Sequence, residues 1–329
     1  MKTVGLTYDL KTDYEFKEDD PPDANAEFDH PSTIGVIASA IETCGFKVKK
    51  IGNALSLLEK IDNLDVDIVF NISEGLFGRN RESQVPILLE MANIPFVGAD
   101  ALTLSLTLDK IMAKKIFISE GIPTPKFFEV KTAEGLMDTN HFKFPLIVKP
   151  RFEGSSKGLT DDSRVENTSD LQKQVEHIIS TYKQPALIEE FISGQEFTVA
   201  IVGNDPAEVM PIVQIKIDGR LQLNDKFYTF AHIRSNRLKY ICPPRIDKDL
   251  VKEISRLALK TYNAVECRDF GRVDFRVDKK GDPYVLEINP LPSLSTGDVF
   301  MVVAKEIGIS YAKMIGKILD SALKRYNLN

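Results

Sequence analysis

Residues 270–289, FGRVDFRVDKKGDPYVLEIN, constrain this chain more than any other stretch. Two apolar segments flank a Lys279-Lys280-Gly281-Asp282 turn, which reads as an antiparallel hairpin. Side chains alternate along a strand, so Arg272, Asp274 and Arg276 share one face. Glu287 and Asn289 share a face of the returning strand. Pairing the strands brings Asp274, Glu287 and Asn289 together. Three oxygen-bearing side chains suit a hard cation such as Mg²⁺, which takes one or two carboxylates plus substrate phosphates. Arg272 stands beside them, placed to neutralise a phosphoryl group in transfer. A hairpin with a solvated charged face would account for Asp278 and Lys279. It accounts poorly for carboxylates that interrupt Val273, Phe275, Leu286 and Ile288.

Two further clusters point to a nucleotide. In FPLIVKPRFEGSSKGL, residues 144–159, a buried strand delivers Lys149 into a turn rich in glycine and serine. Gly154, Ser155, Ser156 and Gly158 offer backbone N–H groups and hydroxyls to an anion, and Lys149 and Lys157 add positive charge. A triphosphate needs this combination, although the GxxxxGK[ST] spacing of a P-loop is missing. A surface turn with a solvated lysine is the other reading. In ALIEEFISGQEFTVAIV, residues 186–202, an apolar strand ends in Glu189-Glu190, then Phe191-Ile192, with Glu196 after a Gly-Gln turn. One carboxylate suits an adenine amino group, a second suits ribose hydroxyls, and the apolar pair can wall the ring. An exposed charged hairpin would present the same pattern.

At 329 residues the chain is long enough for two or three packed units. With 43% hydrophobic and 27% charged residues it reads as an ordinary globular protein, and a net charge of −6 argues against nucleic acid or an anionic membrane as partner. Cys44, Cys242 and Cys267 are far apart and form no CxxC pair, which argues against a disulfide framework or a zinc site and fits a reducing cytoplasm. MKTVGLTYDL shows no secretion signal, and no run approaches the ~18 apolar residues of a membrane span.

The first hundred residues alternate strand and helix signals: strands near 3–8, 46–48, 66–70 and 94–97, and a helix from about 33 to 44 capped by Ser32 and stopped by Gly45. That order predicts a parallel α/β sheet. The acidic segment between Asp9 and Asp29 is long for such a fold and reads as mobile or as part of a site. Beyond about residue 100 the pattern changes: a helix over 108–119, a Gly121-to-Pro125 breaker, and strands near 127–130, 145–149 and 186–190 around a helix at 169–182. Strands at 196–203 and 208–217, a helix at 247–262, the closing hairpin and a last helix at 310–326 complete the chain.

The motifs LTLDK (106–110), FPLIVKPRFEGSSKG (144–158), LIEEFISGQEFTVAI (187–201), GRVDF (271–275) and LEINPLPSLS (286–295) occur in the order and at about the spacing of the ATP-grasp superfamily. Within it the chain resembles the D-alanine–D-alanine ligases over most of its length. The resemblance implies an N-terminal α/β substrate domain over 1–100 and two α+β subdomains, 101–185 and 186–329, with ATP between them. By it, Lys110 and Lys149 contact the phosphates, and Glu153, Ser155 and Ser156 belong to the loop over them. Glu189 and the Phe191–Ile192 backbone take adenine, Glu196 takes ribose, and Lys226 reaches the phosphates from a closing loop at 225–236. Arg272 faces the transferred phosphoryl group, and Asp274, Glu287 and Asn289 hold two Mg²⁺, or Mn²⁺. The implied reaction is ATP-dependent carboxylate–amine ligation: a carboxylic acid is phosphorylated to an acylphosphate, which an amine then attacks. The resemblance also suggests a homodimer.

The substrate ends depart from the family. Its amine-binding glutamate near the N-terminus has no clear counterpart, Glu27 and Asp29 both being candidates, and Glu74 stands where a histidine is expected. Arg79 and Arg81 add charge where the family is acidic or small. After EIN a proline-glycine pair is replaced by Pro292-Ser293, and Asp298 falls where a serine would bind the second substrate's carboxylate. An aspartate there repels a carboxylate, which predicts an altered acceptor. A true D-alanine–D-alanine ligase and an ATP-binding module without chemistry remain as alternatives.

Overall fold

The computed structural model describes residues 1–132, 141–233, 235 and 237–328. The chain opens with β1 (Thr3–Thr7), α1 (Pro31–Thr43), β2 (Lys47–Gly52), α2 (Ala54–Lys60), β3 (Ile68–Asn71), α3 (Gln84–Met91) and β4 (Phe96–Val97), followed by α4 (Ala101–Leu108) and α5 (Lys110–Ser119). The four strands form a parallel sheet in the order β2-β1-β3-β4. That is the outcome expected of apolar strands separated by crossover helices. Helix α1 starts at Pro31, so the cap is His30, two residues before the expected Ser32, and Pro31 takes the first helical position, where its missing N–H costs nothing. The expected helix at 108–119 is α5, and α4, to which the sequence analysis assigned no element, precedes it. Asp109 ends α4 and caps α5, its carboxylate accepting from the Met112 N–H at 3.3 Å.

Next come β5 (Phe127–Val130), β6 (Leu146–Pro150), β7 (Arg164–Val165), α6 (Thr168–Tyr182) and β8 (Ala186–Glu190). These strands form an antiparallel sheet in the order β5-β8-β6-β7, with Leu171, Val175 and Ile178 of α6 packed on it. Then follow β9 (Gly194–Val202), β10 (Glu208–Val209), β11 (Val213–Ile217), α7 (Phe230–Ile233), β12 (Leu238–Ile241), α8 (Lys248–Ala264), β13 (Phe270–Asp278), β14 (Pro283–Asn289), α9 (Val299–Glu306) and α10 (Tyr311–Arg325). The expected strand at 208–217 breaks around Pro211, which has no N–H for a ladder. The third sheet runs β12-β11-β9-β13-β14, with β10 on β9. Ile254, Leu257 and Ala258 of α8 cover the face carrying Val273, Phe275 and Val277. The opposite face carries Arg272, Asp274 and Arg276. Helix α10 folds back onto α1 in one core with Val4, Leu6 and Phe70. The C-terminal helix therefore fixes the parallel sheet against the third sheet, whose Ala200, Val202 and Phe270 enter the same core.

Candidate active site

The closing hairpin pairs Asp274 with Glu287 and Arg272 with Asn289. Its register then slips, Phe275 facing Val285, which leaves Leu286 as a bulge. In an uninterrupted strand Val285 and Glu287 would point the same way. The extra residue lets Val285 stay in the core while Glu287 and Asn289 turn to the cavity, the re-aiming for which bulges are used beside sites. Arg272 donates to both Asp274 oxygens, Nε at 3.0 Å and Nη2 at 2.9 Å. Asn289 Nδ2 donates to Asp274 Oδ2 at 2.9 Å, and Thr198 donates to Oδ1 at 2.5 Å. Lys110 donates to Glu287 Oε2 at 2.6 Å. Burial works to raise the Glu287 pKa, but the Lys110 and Lys149 ammonium groups outweigh it and hold it at about 2. The Asp274 and Glu287 side chains remain 18% and 27% exposed, so an ion can reach them. Two carboxylates and one carboxamide are hard oxygen donors that fit Mg²⁺.

Lys149, next to last in β6, reaches Glu189 on the neighbouring strand β8. Lys114 meets the same carboxylate from α5 and also donates to Thr124 at 2.8 Å. Burial raises the Glu189 pKa, and the two ammonium groups more than reverse that. Lys114, squeezed by burial and by Lys149, falls to about 8 despite Glu189. The carboxylate expected to take an adenine amino group is thus already held by two lysines. Glu196 likewise meets Arg276 at 3.0 Å. Arg276 also donates to the carbonyls of Ile192, Asn224 and Lys226 at 2.8, 2.9 and 3.0 Å, and its guanidinium lies 4.9 Å from the Phe191 ring. It ties the connection between β8 and β9 to the segment that follows β11.

The glycine- and serine-rich turn runs between β6 and β7. Ser155 and Ser156 adopt φ of 47° and 56°. A Cβ on Gly158 (φ 76°) would stand 2.5 Å from Pro150, so no other residue fits. The acidic N-terminal segment clamps this turn. Glu27 accepts from the Gly154 N–H at 2.7 Å, Asp23 accepts from the Gly158 N–H at 2.8 Å, and Tyr182 donates to Asp23 at 3.0 Å. Arg81 donates to both Glu27 oxygens at 2.8 and 2.9 Å and to the Phe152 carbonyl at 2.7 Å, and Lys157 pairs with Glu153 at 2.6 Å. The segment between Asp9 and Asp29 is part of the site, as one of its two readings had it.

One cavity of about 410 Å³ gathers these residues: Glu27, Glu74, Lys110, Lys149, Glu153, Ser155, Ser156, Glu189, Phe191, Ile192, Glu196, Arg272, Asp274, Glu287, Asn289, Ser293 and Asp298 all line it. Lys226 does not. Its ammonium binds Asp218 at 2.6 Å and lines a smaller cavity with Arg164, Asp225 and Arg237. Of the expected closing loop at 225–236, residues 234 and 236 lie outside the described residues. Asp298 caps α9, accepting from the Val299 N–H at 2.8 Å, and its charge is felt by Arg272 and by Asp29. Burial first, then Asp9 and Asp298, pushes Asp29 up to about 7 against Lys11. Tyr228 and Tyr240 complete this end of the cavity.

Several of these groups are absent from the sequence reading's site residues. Lys114 had a signal, its i, i+4 spacing from Lys110 on one helix face. Arg276 shares the Arg272–Asp274 face. For Glu82, which also lines the cavity, nothing in its local pattern marks it as inward-facing.

A family model described as the D-ala D-ala ligase C-terminus matches residues 116–320. An uncharacterized protein of Sinorhizobium fredii, y4sG, is 34% identical over 88% of this chain and 87% of its own. A D-alanine–D-alanine ligase of Carboxydothermus hydrogenoformans is 34% identical over 89% of this chain and 93% of its own. The crystal structure of a D-alanine–D-alanine ligase from Bacillus anthracis with ATP superposes with a TM-score of 0.78, at 22% identity and 99% coverage of both chains, which speaks to the fold. The chain belongs to the D-alanine–D-alanine ligase-like family of ATP-grasp ligases.

Proposed function

We propose that the protein joins a carboxylic acid to an amine at the expense of ATP, by way of an acylphosphate, and that its amine acceptor differs from free D-alanine. The observation that carries the reading is the convergence of Asp274, Glu287, Asn289, Arg272, Lys110 and Lys149 on one cavity. A carboxylate is a poor acyl donor, and phosphorylation supplies its leaving group. Asp274, Glu287 and Asn289 would hold Mg²⁺, which supplies charge neutralisation and orientation for the polyphosphate. Lys110 and Lys149 bring positive charge to the same wall. Arg272, oriented by Asp274, neutralises the phosphoryl group and the acid oxygen it meets. Phe191 and Ile192 wall the base. Glu196 stands beside them at the ribose position, with Arg276 fixing its carboxylate. Ser155 and Ser156 lie in the turn over the phosphates. Glu27 clamps that turn and is the candidate for holding the acid's own amino group.

The altered acceptor rests on Asp298 and Asp29, which make the Arg272 end of the cavity acidic where an α-carboxylate would have to enter. An amine without a neighbouring carboxylate fits better. The test is phosphate release from ATP and Mg²⁺ with a matrix of acids and amines, followed by mass spectrometry of the product. Release that needs both partners and yields an amide supports the reading. ATP binding with no substrate-dependent release defeats it, and efficient D-alanyl-D-alanine synthesis defeats the acceptor part.

A further inference from the structure

The buried charges at the N-terminal wall of the cavity do not balance. Arg81 and Lys157 face Glu27 and Glu153, with all four contacts at 2.6–3.3 Å. Those four charges cancel. Glu74 and Glu82 are left over. Each lines the cavity, and the carboxylates of Glu27, Glu74 and Glu82 offer oxygens within 4.8 Å of one another. Glu82 is 8% exposed, and among the described residues no hydrogen bond or ion pair reaches it or Glu74. Lys110, whose charge also acts on Glu82, is committed to Glu287 at 2.6 Å. A buried carboxylate without a partner is expensive, and a half-buried one beside it adds repulsion. Burial and the mutual repulsion of these groups push Glu74 well up, and burial carries Glu82 to about 7 against Arg81.

We propose that Glu74 and Glu82 form a subsite for an organic cation, so that the acid this enzyme activates carries an ammonium or guanidinium group on its side chain. The proposal rests on the ligase reading above and deepens it. Placement on the acid rather than the amine follows from Lys110. That lysine joins the metal-binding hairpin through Glu287 and stands near enough to Glu82 to act on its charge, so the subsite adjoins the place where phosphate is transferred. Glu27, the candidate for the acid's own amino group, belongs to the same cluster, its carboxylate within 4.8 Å of those of Glu74 and Glu82. A cation seated between the two glutamates supplies a counter-charge that both carboxyl groups share, and an isosteric neutral side chain leaves them without it.

The experiment compares arginine with citrulline and lysine with norleucine, in both stereochemical series, each as the acid. Two readouts are taken on the wild-type enzyme, Glu74→Gln and Glu82→Gln: phosphate release with ATP and Mg²⁺, and calorimetric binding in the presence of a non-hydrolysable ATP analogue. The expected result is at least a tenfold lower KM or Kd for the cationic member of a pair, with the preference falling at least tenfold in either variant. Binding of the cationic acid without phosphate release supports the subsite while defeating the ligase reading. Turnover or binding of neutral acids with no cationic preference overturns the subsite and leaves the ligase reading intact. Binding of neither member overturns it too, as does a preference unchanged in both variants. Saturable Mn²⁺ binding lost in Glu82→Gln would reassign the cluster to a metal. Melting curves of the variants exclude misfolding as the cause of a lost preference.

Discussion

Asp274 sits where three donors converge, from Arg272, Asn289 and Thr198, and still keeps surface toward the cavity. A side chain held that firmly presents its free lone pairs in one direction, which is what an ion site needs. Replacing Asp274 by Asn keeps the shape but removes the charge that both a cation and Arg272 require. Substrate-dependent phosphate release by Asp274→Asn should fall at least about 100-fold, with Mg²⁺ no longer saturating at wild-type concentration. Wild-type rates in that variant would remove the hairpin from the chemistry. Asp29 makes a different prediction. Its folded pKa of about 7 lies above the unfolded value near 3.9, so the native state binds the proton more tightly. The stability this contributes is complete below about pH 4 and is lost as pH rises through 7. Asp29→Asn mimics the protonated form. It should match the wild type near pH 4 and exceed it by about 1–3 kcal/mol at pH 8, measured by urea denaturation. An advantage equal at both pH values would show that Asp29 does not titrate in this way.

Elements explain how much of this was legible from residues alone. The face shared by Arg272, Asp274 and Arg276 follows from alternation along β13, and the parallel sheet follows from apolar strands spaced by helices. The bulge at Leu286 does not follow. It depends on how β14 must pack Val285 beneath α8 while meeting β13, a demand made by another element. Nor does alternation reveal α9, a stretch of eight residues to which the sequence analysis assigns no element. The Asp298 cap that starts α9 links helix stability to acceptor choice. Ser caps nearly as well as Asp and carries no charge. Asp298→Ser should therefore keep the melting temperature within about 2 °C and raise activity with α-amino-acid acceptors about tenfold, read as phosphate release with D-alanine. Asp298→Ala should cost about 1 kcal/mol of stability as the Val299 N–H loses its acceptor. Equal acceptor preference in all three proteins would confine Asp298 to its capping role.

At the scale of the whole molecule, three sheets meet at the cavity and ion pairs bind them across it. Lys110 joins α5 to β14, Glu189 on β8 joins Lys149 on β6 to Lys114 on α5, and Arg276 on β13 holds the Ile192 carbonyl between β8 and β9. Lys110, Lys114 and Lys149 outnumber Glu189 and Glu287 among these groups, which leaves one positive charge in excess. Buried positive charge is unfavourable for folding alone and favourable once a polyphosphate arrives. Lys149→Met tests that division of labour. It leaves Glu189 paired with Lys114, a balanced contact, and Met fills the volume of the lysine stem, so the unliganded protein should melt within a few degrees of the wild type. A ligand at 100 times its Kd stabilises the native state by about 2.7 kcal/mol, which should raise the wild-type melting temperature by several degrees when a non-hydrolysable ATP analogue and Mg²⁺ are added. The variant should lose most of that rise because its affinity for the phosphates is lower. A variant that melts far below the wild type without nucleotide would make Lys149 structural. One that keeps the full rise would place the triphosphate elsewhere than beside β6.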